Sequence, residues 1–280
     1  MASKPTHLEP SELGTREYWD NLYTTELTNH AHDPTDTGTV WFDDSDAERK
    51  VIEYLEDLGL SPATTSFLDL GTGNGSLLFG LCDGGWSGRM LGVDYSRRSV
   101  EFARRIARSR GERPLPRRDS SSSSNNTNSA PAEEEKEEVD EVEFLEHDIL
   151  KTPPSALLSG AQSQGWDVVL DKGTFDAISL SSETDPASGR RASESYKARI
   201  LPLVREGGLF LVTSCNWTEE ELRGWFVGVK EKEEEEEDER TRRWRFEEVG
   251  KVEYPSFSFG GAKGQTISSL CFRKARNNAS

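Results

Sequence analysis

The chain has 280 residues and a formal net charge of -17, a length that allows one domain with a packed core and insertions. Residues 133–143 and 230–240 carry -12 of that charge, so these two runs are expected to be solvated acidic loops and the remaining chain is only mildly acidic. The acidic balance argues against non-specific binding to nucleic acid, which is itself a polyanion.

The three cysteines, Cys82, Cys215 and Cys271, are widely spaced and form no CxxC pair, so they indicate neither a disulfide framework nor a zinc site. The first residues lack a basic head followed by an apolar stretch, and no run approaches the roughly 18 apolar residues of a membrane span. We therefore expect a soluble, cytoplasmic and monomeric protein without a metal, a membrane or a nucleic-acid partner.

Two helices are predicted near the N-terminus. The first covers residues 16–27, where aromatic and apolar residues recur at helical spacing: Tyr18, Trp19, Leu22, Tyr23 and Leu27. The second follows a capping box formed by Ser45 and Glu48 and stops at Gly59. These helices predict an N-terminal extension of residues 1–60, followed by a main domain of residues 61–274 and a tail of residues 275–280.

From residue 66 onward, strand-like and helix-like segments alternate, which is typical of an α/β fold with a mostly parallel sheet and helices on both faces. Strands are predicted over residues 66–71, 89–96, 142–150, 166–173 and 208–216, with helices between them, of which the last before the fifth strand covers residues 193–208. A helix after residue 217 has a capping box of Thr218 and Glu221. Two final strands, 244–255 and 266–274, predict an antiparallel hairpin, while residues 111–140 and 230–240 are predicted to be inserted disordered loops.

The first predicted strand runs into a turn with three alternate glycines. A dinucleotide fingerprint starting at Gly71 requires a third glycine where the chain has Ser76, and a Walker loop requires a lysine that the turn lacks. The pattern that remains is Asp69-x-Gly71-x-Gly73-x-Gly75. It resembles the glycine signature of the S-adenosylmethionine-dependent methyltransferases of the Rossmann-like, seven-stranded type.

Carboxylates also stand at two later strand ends. Asp94 lies 19 residues beyond Gly75, where a carboxylate accepts the hydrogens of ribose hydroxyls, although this alone does not say which nucleoside cofactor is bound. In the family that the chain resembles, a carboxylate at the position of Asp148 faces the adenine amino group, and the residue at Ile149 packs on the ring. Because ligands of open α/β sheets bind at the carboxyl ends of the strands, these side chains are expected to share one ligand.

The resemblance implies S-adenosylmethionine as the cofactor, bound without a metal. Asp69 is a candidate to hold the ammonium group of this ligand, directly or through water. The full set of cofactor residues that the resemblance implies is Asp69, Gly71, Gly73, Asn74, Gly75, Asp94, Tyr95, Asp148, Ile149 and Trp41.

The fourth strand indicates the class of acceptor. Methyltransferases that act on nucleobases or glutamine amides carry Asn or Asp followed by Pro-Pro-Tyr or Pro-Pro-Phe here, whereas residues 171–178 of this chain read DKGTFDAI. That segment resembles protein-lysine methyltransferases, including those that act on translation elongation factor 1A. Residues 13–27 (LGTREYWDNLYTTEL), 36–45 (DTGTVWFDDS) and 257–274 (FSFGGAKGQTISSLCFRK) resemble the same elongation factor 1A family.

The resemblance therefore implies methylation of a lysine of elongation factor 1A. Transfer to an amine requires a neutral nucleophile held in line with the methyl group, and Asp171 is the candidate to orient it. Phe175, Trp19 and Trp41 are candidates for the wall of the lysine channel, with core packing as the alternative for Trp19 and Trp41, and Lys172 is expected to be solvated. A small-molecule methyltransferase, a non-catalytic cofactor-binding module and an oxidoreductase remain as alternatives.

Overall fold

The computed structural model of the chain describes residues 5–111, 142–185, 188–228, 243–259 and 262–277. The predicted insertion over residues 230–240 lies outside these ranges, and so does the insertion over residues 111–140 apart from Gly111. Within the described ranges, no helix is both long enough and apolar enough to cross a membrane.

A seven-stranded sheet forms the centre of the molecule. Its strands are β1 (Phe67–Leu70), β2 (Met90–Asp94), β3 (Glu143–Glu146), β4 (Trp166–Lys172), β5 (Val204–Ser214), β6 (Trp244–Val252) and β9 (Ser268–Arg276), and a separate antiparallel pair comprises β7 (Ser256–Phe259) and β8 (Ala262–Gln265). The order across the sheet is β3-β2-β1-β4-β5-β9-β6. Strands β1 to β5 are parallel, and β9 is antiparallel to both β5 and β6, which confirms the predicted fold class.

Helices cover both faces of this sheet. They are α1 (Arg16–His32), α2 (Ala47–Asp57), α3 (Ser76–Asp83), α4 (Arg97–Gly111), α5 (Thr174–Ser179), α6 (Ala192–Ile200) and α7 (Glu219–Phe226). Successive residues of a strand point to opposite faces, so Phe67 packs into the cluster that includes α1 to α4, whereas Leu68 and Leu70 pack into the cluster that includes α5 to α7. Burial on both faces explains the apolar runs of β1, β2 and β4, whereas the edge strand β3 is exposed at three of its four residues.

The capping box predicted for α2 is wrong. The residue before the helix is Asp46, in a left-handed conformation with φ 55°, and no side chain caps the helix. The side chain of Ser45 lies 3.1 Å from the hydroxyl of Thr266 instead, and Glu48 accepts a hydrogen bond from Ser76. Tertiary partners have taken both side chains that the local pattern assigned to the helix end.

Several element boundaries also differ from the predictions. Strand β3 ends at Glu146 rather than at residue 150, because the side chain of Asp148 accepts backbone hydrogen bonds from the next residues and turns the chain. The helix predicted over residues 193–208 stops at Ile200, and β5 begins at Val204. The short helix α5 and the β7–β8 pair were not predicted, whereas the capping box of α7 is confirmed.

The N-terminal extension lies across the edge of the sheet where the parallel strands end. Near its start, the backbone N–H of Ser11 donates to the carbonyl of Leu180 at 3.1 Å. In α1, the carboxylate of Asp20 accepts from the hydroxyl of Ser96 at 2.6 Å, and Arg16 donates to the carbonyl of Tyr95. The extension therefore contacts residues that follow β2 and β4, and the domain division at residue 60 stays a prediction.

Gly14→Ala is expected to loosen this contact. A methyl group at this position would lie 2.2 Å from the backbone of Leu180, and relief of such a clash costs about 1 to 3 kcal/mol of unfolding free energy. Urea denaturation measures the loss. The control is Gly111→Ala, where no described residue lies within 4 Å of the added methyl group, and an equal loss in both variants would contradict the contact between Gly14 and Leu180.

Candidate cofactor and acceptor site

One cavity of about 210 Å³ runs along the carboxyl ends of the parallel strands, beneath the N-terminal extension. Residues that follow β2 and β3 form one end, and residues that follow β4 and β5 form the other. Its wall includes Gly71, Gly73, Asn74, Asp94, Tyr95, His147, Asp148, Ile149, Trp41, Phe42, Asp176 and Cys215. Eight of the ten predicted cofactor residues are brought together in this wall, and Asp69 and Gly75 are not among its lining residues.

The glycine turn after β1 requires its glycines. Gly71, Gly73 and Gly75 have φ values of 64°, 60° and 81°, in the left-handed region that other residues rarely adopt. A methyl group on Gly71 would lie 2.0 Å from the hydroxyl of Thr174, and one on Gly75 would lie 2.7 Å from the ring of Phe144. The turn is thus packed tightly between neighbouring elements, and Gly75 serves packing rather than the cavity wall.

Asp94, the last residue of β2, lies at the centre of a hydrogen-bond network. Its carboxylate accepts from the backbone N–H of Ser96 at 2.8 Å, from the hydroxyl of Ser99 at 2.8 Å and from the backbone N–H of Gly73 at 3.2 Å. Burial raises the pKa of Asp94 to about 6, so the carboxylate is mostly ionised at pH 7. The network fixes an anion at the end of the cavity formed by β2 and β3.

Asp148 and Ile149 line the same end of the cavity. One carboxylate oxygen of Asp148 accepts from the backbone N–H groups of Leu150 and Lys151 at 3.0 and 3.1 Å, which holds the side chain at the strand end. His147, which the sequence analysis missed, also lines the wall, and its Nε2 is buried without a hydrogen-bond partner in the described ranges. Burial lowers the pKa of His147, so its ring is neutral at pH 7.

Asp69 lies inside the fold rather than in the cavity wall. It shares the face of β1 with Phe67, is 3% exposed, and pairs in register with Gly92 and Leu170. Burial raises the pKa of Asp69 to about 7. Its placement does not support direct contact between this carboxylate and a ligand in the cavity.

The two predicted catalytic residues also lie outside the cavity wall. Asp171 accepts hydrogen bonds from the hydroxyl of Tyr196 at 2.6 Å and from the backbone N–H of Thr174 at 2.8 Å. Phe175 is 1% exposed and stacks on the ring of Tyr196 with centroids 5.4 Å apart. Asp171 therefore joins α5 to α6, Phe175 fills the core between them, and their positions support structural roles.

Asp176, in the first turn of α5, lines the cavity instead. Its carboxylate accepts from the hydroxyl of Ser214 and from the backbone N–H of Cys215, the latter at 2.8 Å. Burial raises the pKa of Asp176, and burial together with the charge of Asp176 raises the pKa of the Cys215 thiol to about 12. In the sequence, Asp176 is the second aspartate of the segment DKGTFDAI, five residues after Asp171. The presence of two aspartates in this segment is the pattern that could have indicated it.

Aromatic side chains from the N-terminal extension cover the cavity. Trp19, Trp41 and Phe42 all line it, and the rings of Trp19 and Trp41 have centroids 5.2 Å apart. Both tryptophans line the cavity and Trp19 also packs on the core, so their role as the wall of a lysine channel stays a prediction. Trp41 Nε1 is buried without a hydrogen-bond partner in the part of the chain that the structure describes.

Lys172 holds this aromatic wall in place, so the prediction of a solvated lysine is wrong. Its side chain is 15% exposed, and Nζ donates to the carbonyl of Trp41 at 3.2 Å and lies 3.4 Å from Glu48 Oε1. Glu48 also accepts from the hydroxyl of Ser76, the first residue of α3. The ion pair between Lys172 and Glu48 thereby links the end of β4 to the aromatic loop, which contains Trp41 and Phe42. Through Glu48 it also reaches Ser76, the residue that follows the glycine turn.

Lys172→Met is expected to lower the unfolding free energy by about 1 to 3 kcal/mol, because Glu48 would remain as a partly buried and unpaired charge. Thermal or urea unfolding measures this loss. The matched control is Lys151→Met, whose ion pair with Glu183 is exposed and whose loss is expected to stay within about 0.5 kcal/mol. If the two variants lose equal stability, Lys172 does not act as the link described above.

Comparison with known proteins agrees with this geometry. A family model described as a methyltransferase domain matches residues 62–113, which contain the glycine turn and Asp94. Among solved structures, magnesium protoporphyrin IX methyltransferase from Synechocystis PCC 6803 aligns with a TM-score of 0.53 over 94% of this chain and 97% of its own. At 13% sequence identity, this likeness shows a shared fold.

Curated relatives extend over almost the whole chain. Protein-lysine N-methyltransferase EFM4 of Saccharomyces cerevisiae is 36% identical over 95% of this chain and 96% of its own length. EEF1A lysine methyltransferase 2 of Danio rerio is 32% identical over 97% of this chain and 92% of its own, and the Homo sapiens protein of that name is 31% identical over 95% and 88%. The chain therefore belongs to the family of protein-lysine N-methyltransferases that includes EFM4 and EEF1A lysine methyltransferase 2.

Proposed function

We propose that this chain transfers a methyl group from S-adenosylmethionine to a lysine of translation elongation factor 1A in the cytoplasm. The observation that carries the proposal is one continuous cavity, with Asp94 and Asp148 at one end and Asp176 and Trp41 toward the other. The first end suits an adenosine moiety, and the second suits an amine. Family membership supports lysine as the acceptor, and the names of the vertebrate relatives support elongation factor 1A.

The residues of the first end fit the adenosine part of this cofactor. The ionised carboxylate of Asp94 can accept the hydrogens of ribose hydroxyls, Asp148 can accept from an adenine amino group, and Ile149 offers an apolar surface to the ring. His147 Nε2, which has no hydrogen-bond partner among the described residues, can offer a polar contact beside them. The turn from Gly71 to Asn74 then leads along the cavity toward β4.

The charges of the cavity favour a ligand without phosphates. Its wall carries three cations within the described ranges, and each is already near a carboxylate: Arg16 with Asp20 at 3.4 Å, Lys151 with Glu183 at 3.3 Å and Lys172 with Glu48 at 3.4 Å. A dinucleotide would bring two phosphates to a wall whose positive charge is already paired. Together with Ser76 at the place of the third glycine of a dinucleotide fingerprint, this disfavours the oxidoreductase alternative.

When bound, S-adenosylmethionine supplies a methyl group on a sulfonium, which is open to in-line displacement by a neutral amine. Asp176 is placed to orient that amine, because its carboxylate lines the cavity and a carboxylate oxygen that already accepts a hydrogen bond, as both oxygens of Asp176 do, can accept another. The wall of Trp41 and Phe42 is apolar, and an apolar surrounding lowers the pKa of a lysine amine. Asp176 thus provides orientation, while the apolar wall favours the neutral amine and offsets the tendency of a nearby carboxylate to raise the amine pKa.

Asp94→Asn is expected to weaken binding of S-adenosylmethionine by about 1 to 3 kcal/mol, because hydrogen bonds to a charged acceptor are lost. In the unaltered chain, the affinity should fall as the pH drops through about 6, where Asp94 becomes protonated. Calorimetric titrations between pH 5 and pH 8 measure both effects. The variant should lack this pH dependence, and an identical slope in both proteins would remove Asp94 from the site.

Asp176→Asn is expected to lower turnover by about 10- to 100-fold through a misplaced amine, with little change in cofactor affinity. The comparison is Asp171→Asn, which should lower the melting temperature but preserve turnover per folded molecule. Both rates are measured well below the melting temperatures. If Asp171→Asn loses more turnover per folded molecule than Asp176→Asn, the role of orienting the amine belongs to Asp171.

The acceptor is tested by mass spectrometry of purified elongation factor 1A incubated with the protein and isotope-labelled S-adenosylmethionine. The proposal predicts label on one lysine, which is lost when that lysine is changed to arginine. Label that enters only small molecules would contradict the proposal and favour the small-molecule alternative. Cofactor binding without any transfer would favour the non-catalytic module.

A further inference from the structure

A second concave surface, the side groove, adjoins the end of the cavity that contains Asp176. It shares Cys215 and Asn216 with the cavity and has a volume of about 610 Å³, compared with about 210 Å³ for the cavity itself. Its walls come from the start of α7, the end of β6 and the start of β9. The groove therefore offers space for several residues beside the place where one amine would be held.

The floor of the groove is formed by buried apolar side chains. Trp217, Tyr254 and Ile267 line it, and they are 3%, 6% and 4% exposed. The wall at the start of α7 is fixed by the capping box, in which the side chains of Thr218 and Glu221 bind reciprocally to the backbone of the helix start. Because the floor is buried and the start of α7 is capped, this surface does not require a large rearrangement before a partner binds.

The charges on the rim of the groove are unbalanced. Among the lining residues that the structure describes, both cations are already engaged, since Arg223 lies 2.6 Å from Glu248 and Lys251 lies 3.0 Å from Glu219. Glu220 is exposed and has no ion-pair partner in the ranges that the structure describes. Glu253 is 77% exposed and shares Lys251 with Glu219. Within the described ranges, Glu220 thus lacks an ion-pair partner and Glu253 shares its single cation with a second carboxylate, which leaves negative charge for a cationic partner.

We propose that the side groove docks the polypeptide segment that carries the acceptor lysine, and that this segment has a second basic side chain that pairs with Glu220 and Glu253. The inference rests on the proposed function and adds the class of segment that the enzyme selects. Continuity between the groove and the cavity places the lysine beside Asp176 while the flanking residues lie on the apolar floor. A free amine would gain nothing from this surface, whereas a protein substrate gains both contact area and charge complementarity.

Steady-state methylation of purified elongation factor 1A by Glu220→Lys and Glu253→Lys tests the inference. Each charge reversal is expected to raise KM for the factor by about 3- to 10-fold, since a rim charge acts chiefly on encounter and docking. The value of kcat and the calorimetric affinity for S-adenosylmethionine should stay unchanged. The control is Glu56→Lys, an exposed position on α2 outside both concave surfaces, which changes the net charge equally and should leave KM unaltered.

If Glu220→Lys and Glu253→Lys leave KM at the value of the control, the inference is overturned while the proposed function stands. A fall in cofactor affinity without a rise in KM would also overturn it, because the rim would then act through the cofactor cavity. No transfer to elongation factor 1A by the unaltered chain would overturn the proposed function itself, and the docking inference with it.

Discussion

The structure depends on a buried anion at the end of β2. Asp94 remains mostly ionised at pH 7 despite its burial because two backbone N–H groups and the hydroxyl of Ser99 donate to its carboxylate. One of these donors, Gly73, belongs to the glycine turn after β1. The carboxylate and the turn therefore hold each other in place, and the cavity along the strand ends takes its shape from this pair.

The N-terminal extension completes the site that the sheet begins. Parallel strands bring their carboxyl ends to one edge, but they leave that edge open. The extension covers it with Trp19, Trp41 and Phe42, and the ion pair of Lys172 and Glu48 attaches the aromatic loop to the end of β4. The family resemblance of residues 13–27 and 36–45 thus corresponds to a part of the chain that covers the site.

The sequence predicted the fold class and the family, and eight of its ten predicted cofactor residues lie in the cavity wall, because these follow from patterns that are local in the chain. The glycine spacing and the strand ends identify residues such as Asp94 and Asp148 without knowledge of tertiary contacts. The roles of the aspartates in DKGTFDAI did not follow in the same way. Asp171 precedes a short helix that no pattern signalled, and only the packed structure shows that it binds Tyr196 while Asp176 reaches the cavity. Likewise, the local capping pattern at Ser45 and Glu48 failed because distant partners compete for both side chains.

The central claim is that one ligand and one amine meet in the cavity between Asp94 and Asp176. A crystal structure with bound S-adenosylhomocysteine, the product of methyl transfer, tests it most directly. In that structure, we expect the ribose hydroxyls to lie within hydrogen-bond distance of Asp94. The thioether sulfur should point toward Asp176 and the aromatic wall. A nucleoside bound away from Asp94, or a sulfur directed away from Asp176, would contradict it.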